Sequence, residues 1–326
     1  MKSSIYFISL FSILILGCQN EHLEISPVDA LKKMSNLKTQ IFNLDTISSK
    51  TIKGESGTII FFDRQQFDIP NNAKITLNLT EYDNFKDLVL NNIQTVTKDD
   101  KLLESSGVFK IEFLADGKPV NLKKGEYLEV YIPQDKMRGN ILFTGVIDSL
   151  GNMKWDEIKN EPIVFEKSYT VVKRGVFVTL RGIDTLAWTY PNQNFNETDT
   201  IDNLDFPVDK NLNYLIDNFD WINCDHYIED FEIKLKELIL TDASHKIVNV
   251  YILYHGQNSF YLDSFYYEKN YKMEIQYLPK KTFAVVVSYK NGNLYADKFE
   301  ITDQDTYQIN LKKTDQNKLF QLMELE

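Results

Sequence analysis

Three features of this chain point to an all-β protein: two β-sandwich domains, the second immunoglobulin-like, with a few short helices. One is the aromatic balance, 18 Tyr and 21 Phe against 3 Trp, with only 13 Gly and 8 Pro among 326 residues. Such side chains suit a pleated, half-buried surface. Another is period-two alternation, as where Ile75, Leu77 and Leu79 interleave with Thr76, Asn78 and Thr80. The third is punctuation: Asp116-Gly117, Lys124-Gly125 and Asn291-Gly292 stand between apolar runs as hairpin turns. Many short strands so divided argue for a sandwich or barrel rather than a parallel α/β sheet.

The first residues read as an address. Lys2 precedes an almost unbroken apolar run over residues 5–16. As a helix that run reaches only ~18 Å, short of a ~30 Å hydrocarbon core, so it reads as a signal peptide over residues 1–17. Ile15-Leu16-Gly17-Cys18 resembles a bacterial lipobox, which implies that Cys18 becomes the lipidated first residue of the mature chain. Several acyl chains together anchor a protein stably, so a membrane partner through lipid on Cys18 is expected. Loss of Lys2 takes the net charge from −11 to −12 (−11 − 1). So acidic a surface repels phosphate backbones, which argues against nucleic-acid binding.

Residues 18–45 read as a tether carrying one short helix, with Pro27 at a first turn and Val28, Leu31 and Met34 at helical spacing. A first sandwich is expected over residues 46–190, with strands near 57–62, 75–81, 108–114, 120–122, 127–133, 141–147, 153–157, 168–172 and 176–180. Phe85, Leu88 and Val89 mark a short helix or long loop between two of them. Residues 191–220, with Asp199, Asp202, Asp205 and Asp209, form an acidic interdomain linker with one helical turn near 212–216. Residues 221–326 make the second sandwich, closed by a short helix over residues 318–325. About 100 residues of antiparallel strands suit an immunoglobulin-like fold.

Chemical motifs are sparse. Cys224 and His226 flank Asp225 and would share one face of a strand, but four histidines and a single cysteine beyond Cys18 leave a zinc site short of ligands. A packed cysteine beside Trp221 and Tyr227 is the expected role. The linker aspartates lack the central glycine of an EF-hand loop. The chain carries no Gly-x-Ser-x-Gly elbow, His-Glu-x-x-His helix, P-loop or dinucleotide fingerprint, so catalytic residues, cofactor and metal are all expected to be none. The aromatic run Phe260, Tyr261, Phe265, Tyr266, Tyr267 and Tyr271 is the candidate surface for a ligand or partner, since sugar rings stack on aromatic faces and clustered tyrosines suit protein contacts.

Gly57-Thr58-Ile59-Ile60, residues 75–82, residues 101–107, residues 127–133 and Trp221-Ile222-Asn223-Cys224-Asp225 follow one another as in a group of Bacteroidetes lipoproteins. These carry a sandwich reminiscent of the ZU5 fold. The resemblance spans nearly all of the mature chain and implies an outer-membrane lipoprotein of the cell envelope with a non-catalytic build. Thr46, Ser149, Thr185 and Thr200 each follow Asp and precede Ile or Leu, matching the short O-glycosylation pattern of that group. The expected function is a structural or accessory subunit of an envelope assembly with an envelope protein partner. The alternative is a surface glycan-binding module for nutrient capture, using the aromatics near residues 260–271.

Overall fold

The computed structural model describes residues 25–45, 49–132, 141–148, 152–158, 170–173, 176–179, 212–216, 219–266, 270–278 and 281–325. The chain is all-β, with three short α-helices among the described residues. Its first part supplies α1 (Pro27–Lys32), β1 (Gln40–Asn43), β2 (Ser49–Lys53), β3 (Ile59–Asp63), β4 (Ile75–Tyr82) and α2 (Phe85–Leu90). There follow β5 (Leu103–Ala115), β6 (Lys118–Val120), β7 (Leu128–Ile132), β8 (Ile141–Ile147) and β9 (Met153–Glu157). Next come the hairpin of β10 (Thr170–Lys173) and β11 (Val176–Thr179), then β12 (Leu212–Ile216) and β13 (Trp221–Tyr227). The second part supplies β14 (Glu232–Leu240), β15 (Ile247–Tyr254), β16 (Ser259–Tyr266), β17 (Asn270–Tyr277) and β18 (Thr282–Lys290). It ends with β19 (Asn293–Glu300), β20 (Thr306–Ile309), β21 (Lys312–Thr314) and α3 (Gln316–Met323). No helix among the described residues is long and apolar enough to cross a membrane.

Two sheets form the first sandwich. One runs β1-β4-β5-β13-β8-β9, with β6 added beside β5; the other runs β12-β7-β3-β2. Ile75, Leu77 and Leu79 of β4 meet Ile60, Phe62, Leu128 and Val130 across the core between them. The alternation of β4 therefore lines the core as period two demands. Asp116 and Gly117, both with positive φ, turn β5 into β6.

The linker and the division at residue 221 come out differently from the sequence expectation. Residues 212–216 form β12, a strand paired with β7, rather than a helical turn. β13 lies between β5 and β8, so residues 221–227 complete the first sandwich. Ile222 and Cys224 point into its core and leave no choice of side.

The second sandwich packs β16-β15-β18-β19-β21 against β17-β14-β20. Its strand order is not that of an immunoglobulin domain. There the second and third strands lie in opposite sheets, whereas β15 and β16 here are a hairpin in one sheet, joined through Gly256 with φ +72°. β14 and β20 run parallel.

A third apolar layer joins the sandwiches. Val250, Ile252 and Tyr254 of β15 face the second core, while Tyr251 and Leu253 face the opposite way, toward the first sandwich. There they meet Val108, Phe143 and Trp155 together with Leu31 of α1, Leu88 of α2 and Leu319 of α3. β15 and β18 are thus buried on both faces, which explains their near-continuous apolar sequences. Within the expected tether, residues 25–45 belong to the fold: α1 packs into this layer and β1 is a strand of the first sandwich.

Backbone bonds reinforce the join. β4 stops pairing at Tyr82, opposite Val108, which leaves the first turns of β5 open on that side. Leu103 N–H donates to the Thr95 carbonyl there, and Ser105 N–H to the Asn258 carbonyl. Thr95 in turn donates to the carbonyl of Phe260, on the edge strand β16. The sheet of one sandwich thus continues into the sheet of the other.

Candidate functional site

Among the described residues the aromatic run does not form one surface. β16 alternates, so Phe260 (0% exposed) turns into the inter-sandwich layer and Phe265 (3%) into the core of the second sandwich. Tyr261 donates its hydroxyl to the Glu274 carbonyl at 2.9 Å, and Tyr271 donates to Asp263 Oδ2 at 2.7 Å while stacking on Phe265 at 4.7 Å. Tyr266, 57% exposed, is the ring of this set that faces solvent. Tyr267 lies outside the described residues, as do Cys18, Thr46, Ser149, Thr185 and Thr200. Burial wins here because a hairpin strand wedged between two cores has no solvent face to offer over its first half.

Cys224 and His226 do not come together as a site. Cys224 is enclosed in the first core, and His226 Nε2 lies 3.3 Å from Glu104 Oε2. Among the described residues no group of three His, Cys, Asp or Glu is placed to hold a metal ion.

The most unusual electrostatics belong to residues that sequence reasoning passed over. Between the pairs Asn223–Val108 and Asp225–Ser105 two residues of β5, Ser106 and Gly107, oppose the single residue Cys224. This is a β-bulge, and Gly107 takes φ +150° to make it. The bulge puts Ser105, Asn223 and Asp225, all enclosed, into one hydrogen-bonded cluster. Ser105 Oγ donates to Asn223 Oδ1 at 3.2 Å, and Asn223 Nδ2 donates to Asp225 Oδ2. Burial pushes the Asp225 carboxyl up to about 8. The Ser105 and Asn223 side chains and the Ser106 N–H pull it back, and nearby Glu104 adds to the rise. From the second sandwich, Asn258 Nδ2 donates to the Ser105 carbonyl at 3.3 Å and Gln257 presents its amide to Glu104. The cluster is sealed and bridges both sandwiches, so it fixes how they dock. Its signal in the sequence is two polar residues, Asn223 and Asp225, alternating with the core residues Ile222 and Cys224.

A second anomaly lies on β14. Leu238 and Leu240 set the phase of the strand by facing the core. With period two, that phase carries Lys234 and Lys236 inward and Ile233 and Leu235 outward. Lys236 is 1% exposed, whereas Ile233 and Leu235 are 65% and 58% exposed. Lys236 Nζ donates to the Gln304 carbonyl at 2.8 Å and lies 4.0 Å from Asp305; Lys234 pairs with Asp303 and Glu232. The two lysines thereby clasp residues 302–305 against the strand. Buried cation and exposed aliphatics are the reverse of the ordinary arrangement, and the pair Ile233–Leu235 sits on an uncovered sheet face beside Glu274 of β17.

Comparison with protein-family models, with curated proteins and with solved structures finds no match to this chain.

Proposed function

We propose that the chain is a lipoprotein of the bacterial outer membrane, anchored through Cys18, that serves as a non-catalytic accessory subunit of an envelope assembly. Its contact face toward a protein partner is the outer surface of β14 and β17. The observation that carries this reading is the inverted polarity of β14. Sequestering Lys236 costs desolvation that the Gln304 carbonyl and Asp305 only partly offset, while Ile233 and Leu235 stand in water. Partner burial of those two side chains contributes association free energy of ~25 cal/mol per Å² of apolar area covered. The lipobox and the resemblance to Bacteroidetes lipoproteins support the location. The glycan reading has less to stand on, since Tyr266 is the exposed ring among the described aromatics of residues 260–271.

The test is a mild-detergent purification of the tagged lipoprotein from its native membrane, read by mass spectrometry. A stoichiometric membrane-protein partner, lost with Leu235→Glu and retained with Tyr266→Ala, is the expected result. Retention of glycan that disappears with Tyr266→Ala would replace this reading with the second.

A further inference from the structure

We infer that the face of the molecule bearing α1 lies against the bilayer, with Lys32 and Lys33 among anionic lipid headgroups, so that both sandwiches stand side by side on the membrane. This inference rests on the anchoring reading above and adds an orientation to it.

Fixed structure begins just before α1. Ser26 caps α1, its Oγ accepting from Asp29 N–H at 3.1 Å, and Leu31 of that helix is fully buried in the inter-sandwich layer. Beyond the helix, Asn91 Nδ2 donates to Ser35 Oγ at 3.0 Å, and residues 40–43 then pair with β4. The chain is held from Ile25 onward. Only residues 19–24 separate Ile25 from the lipid-bearing Cys18. The seven residue steps from Cys18 to Ile25 span at most ~25 Å even when fully extended. That reach is about the length of one eight-residue strand such as β4, so the face bearing α1 is the one held nearest the lipid.

The attachment point then sets the orientation. α1 packs against β15 and β18 of the second sandwich and against α2, which follows β4 of the first. An anchor at the seam keeps both sandwiches equally near the bilayer, rather than one stacked above the other. The face around α1 also has fitting chemistry. Lys32 and Lys33 are exposed and form no ion pair with another described residue, while Asp29 accepts from the Ser26 hydroxyl at 2.8 Å. With Ile25 and Asp29 they line an open hollow of about 320 Å³. Past Glu21 and Glu24, Lys32 and Lys33 are the first lysines after Cys18, and in a mature chain of charge −12 they lower the repulsion between this face and an anionic leaflet.

The experiment uses the lipidated protein in vesicles of phosphatidylethanolamine and phosphatidylglycerol containing a headgroup-nitroxide lipid. A fluorophore is attached at Lys33→Cys or, as the distant control, at Lys118→Cys in the β5–β6 turn; enclosed Cys224 is spared by labelling the folded protein. Quenching several-fold stronger at residue 33 than at residue 118 is expected. A Gly-Ser spacer of about fifteen residues inserted after Glu24, adding roughly 20 Å of mean reach, should erase the difference. Lys32→Glu in the protein labelled at residue 33 should weaken the quenching when phosphatidylglycerol is present and leave it unchanged when it is omitted. Equal quenching at the two sites in protein whose intact mass shows the acyl chains overturns the orientation and leaves the anchoring intact. An intact mass without acyl chains overturns both.

Discussion

Asp225 shows how one residue's surroundings become a property of the whole fold. Its carboxyl is raised from an ordinary value near 4 to about 8 by burial, so the folded chain keeps a proton that the unfolded chain has already released. The stability linked to this group is therefore greatest below pH 4 and declines as pH rises from about 4 to about 8. Asp225→Asn keeps an acceptor for Asn223 Nδ2 and removes the titration. The urea midpoint of the variant should gain on wild type between pH 5 and pH 8, and a constant difference across that range would show that Asp225 is not protonated in the fold. Glu81 is a second buried acidic side chain, and it accepts from three donors: Gln40 Nε2 at 2.7 Å, Ser56 N–H at 2.9 Å and Thr58 N–H at 3.1 Å. It closes the β2–β3 turn so tightly that a Cβ on Gly54 would lie 2.5 Å from its carboxyl. Glu81→Ala strands those donors and should cost about 3 kcal/mol in denaturant titrations.

At the scale of elements, α1 illustrates how little intrinsic propensity matters when a core is at hand. Six residues cannot sustain a helix in water; the pocket for Ala30 and Leu31 between the sandwiches does. Leu31→Ala should cost about 2–5 kcal/mol and raise hydrogen exchange along residues 27–34 more than within β3 or β7. Protection lost equally everywhere would mean that α1 does not open on its own. Helix α3 closes the same layer from the other end of the chain. Glu324 ends it in a left-handed conformation, and its carboxylate pairs with Lys298 at 2.8 Å and His255 at 2.6 Å. Partial burial pushes the Glu324 carboxyl up, but these two partners outweigh it and hold the value below its usual range. This contribution is present above the unfolded carboxyl's range and is lost as pH falls through the lower folded value. Exchange in α3 at pH 4 and pH 7 reads it directly.

For the molecule as a whole, the consequence of a shared middle layer is cooperativity. The strands β15 and β18 serve the second core on one face and the inter-sandwich layer on the other, and backbone bonds run from β5 through Thr95 to β16. Neither sandwich can unfold without exposing the apolar face of its neighbour. Calorimetry should give one transition for the two sandwiches, with equal calorimetric and van't Hoff enthalpies. Two resolved transitions would show that the layer is only a contact. Phe260→Ala, which empties space in that layer, should lower the single transition without splitting it.

What the sequence by itself determined is local. The alternation of residues 75–79, the apolar runs of β8 and β15, and the Asp-Gly and Asn-Gly turns were legible because side-chain period and turn conformation depend only on near neighbours. The all-β class followed from their number. Tertiary structure alone decided which strands pair and which faces are covered. Trp221-Ile222-Asn223-Cys224-Asp225 reads as the opening of a new domain, yet it lies at the centre of the first sandwich because β5 and β8 flank it there. The aromatics of β16 read as a platform, yet a second sheet stands over Phe260. Ile233 and Leu235 are aliphatic, yet Leu238 and Leu240 further along the strand turn them outward. In each case burial is set by what lies opposite in space, which no window of neighbouring residues contains.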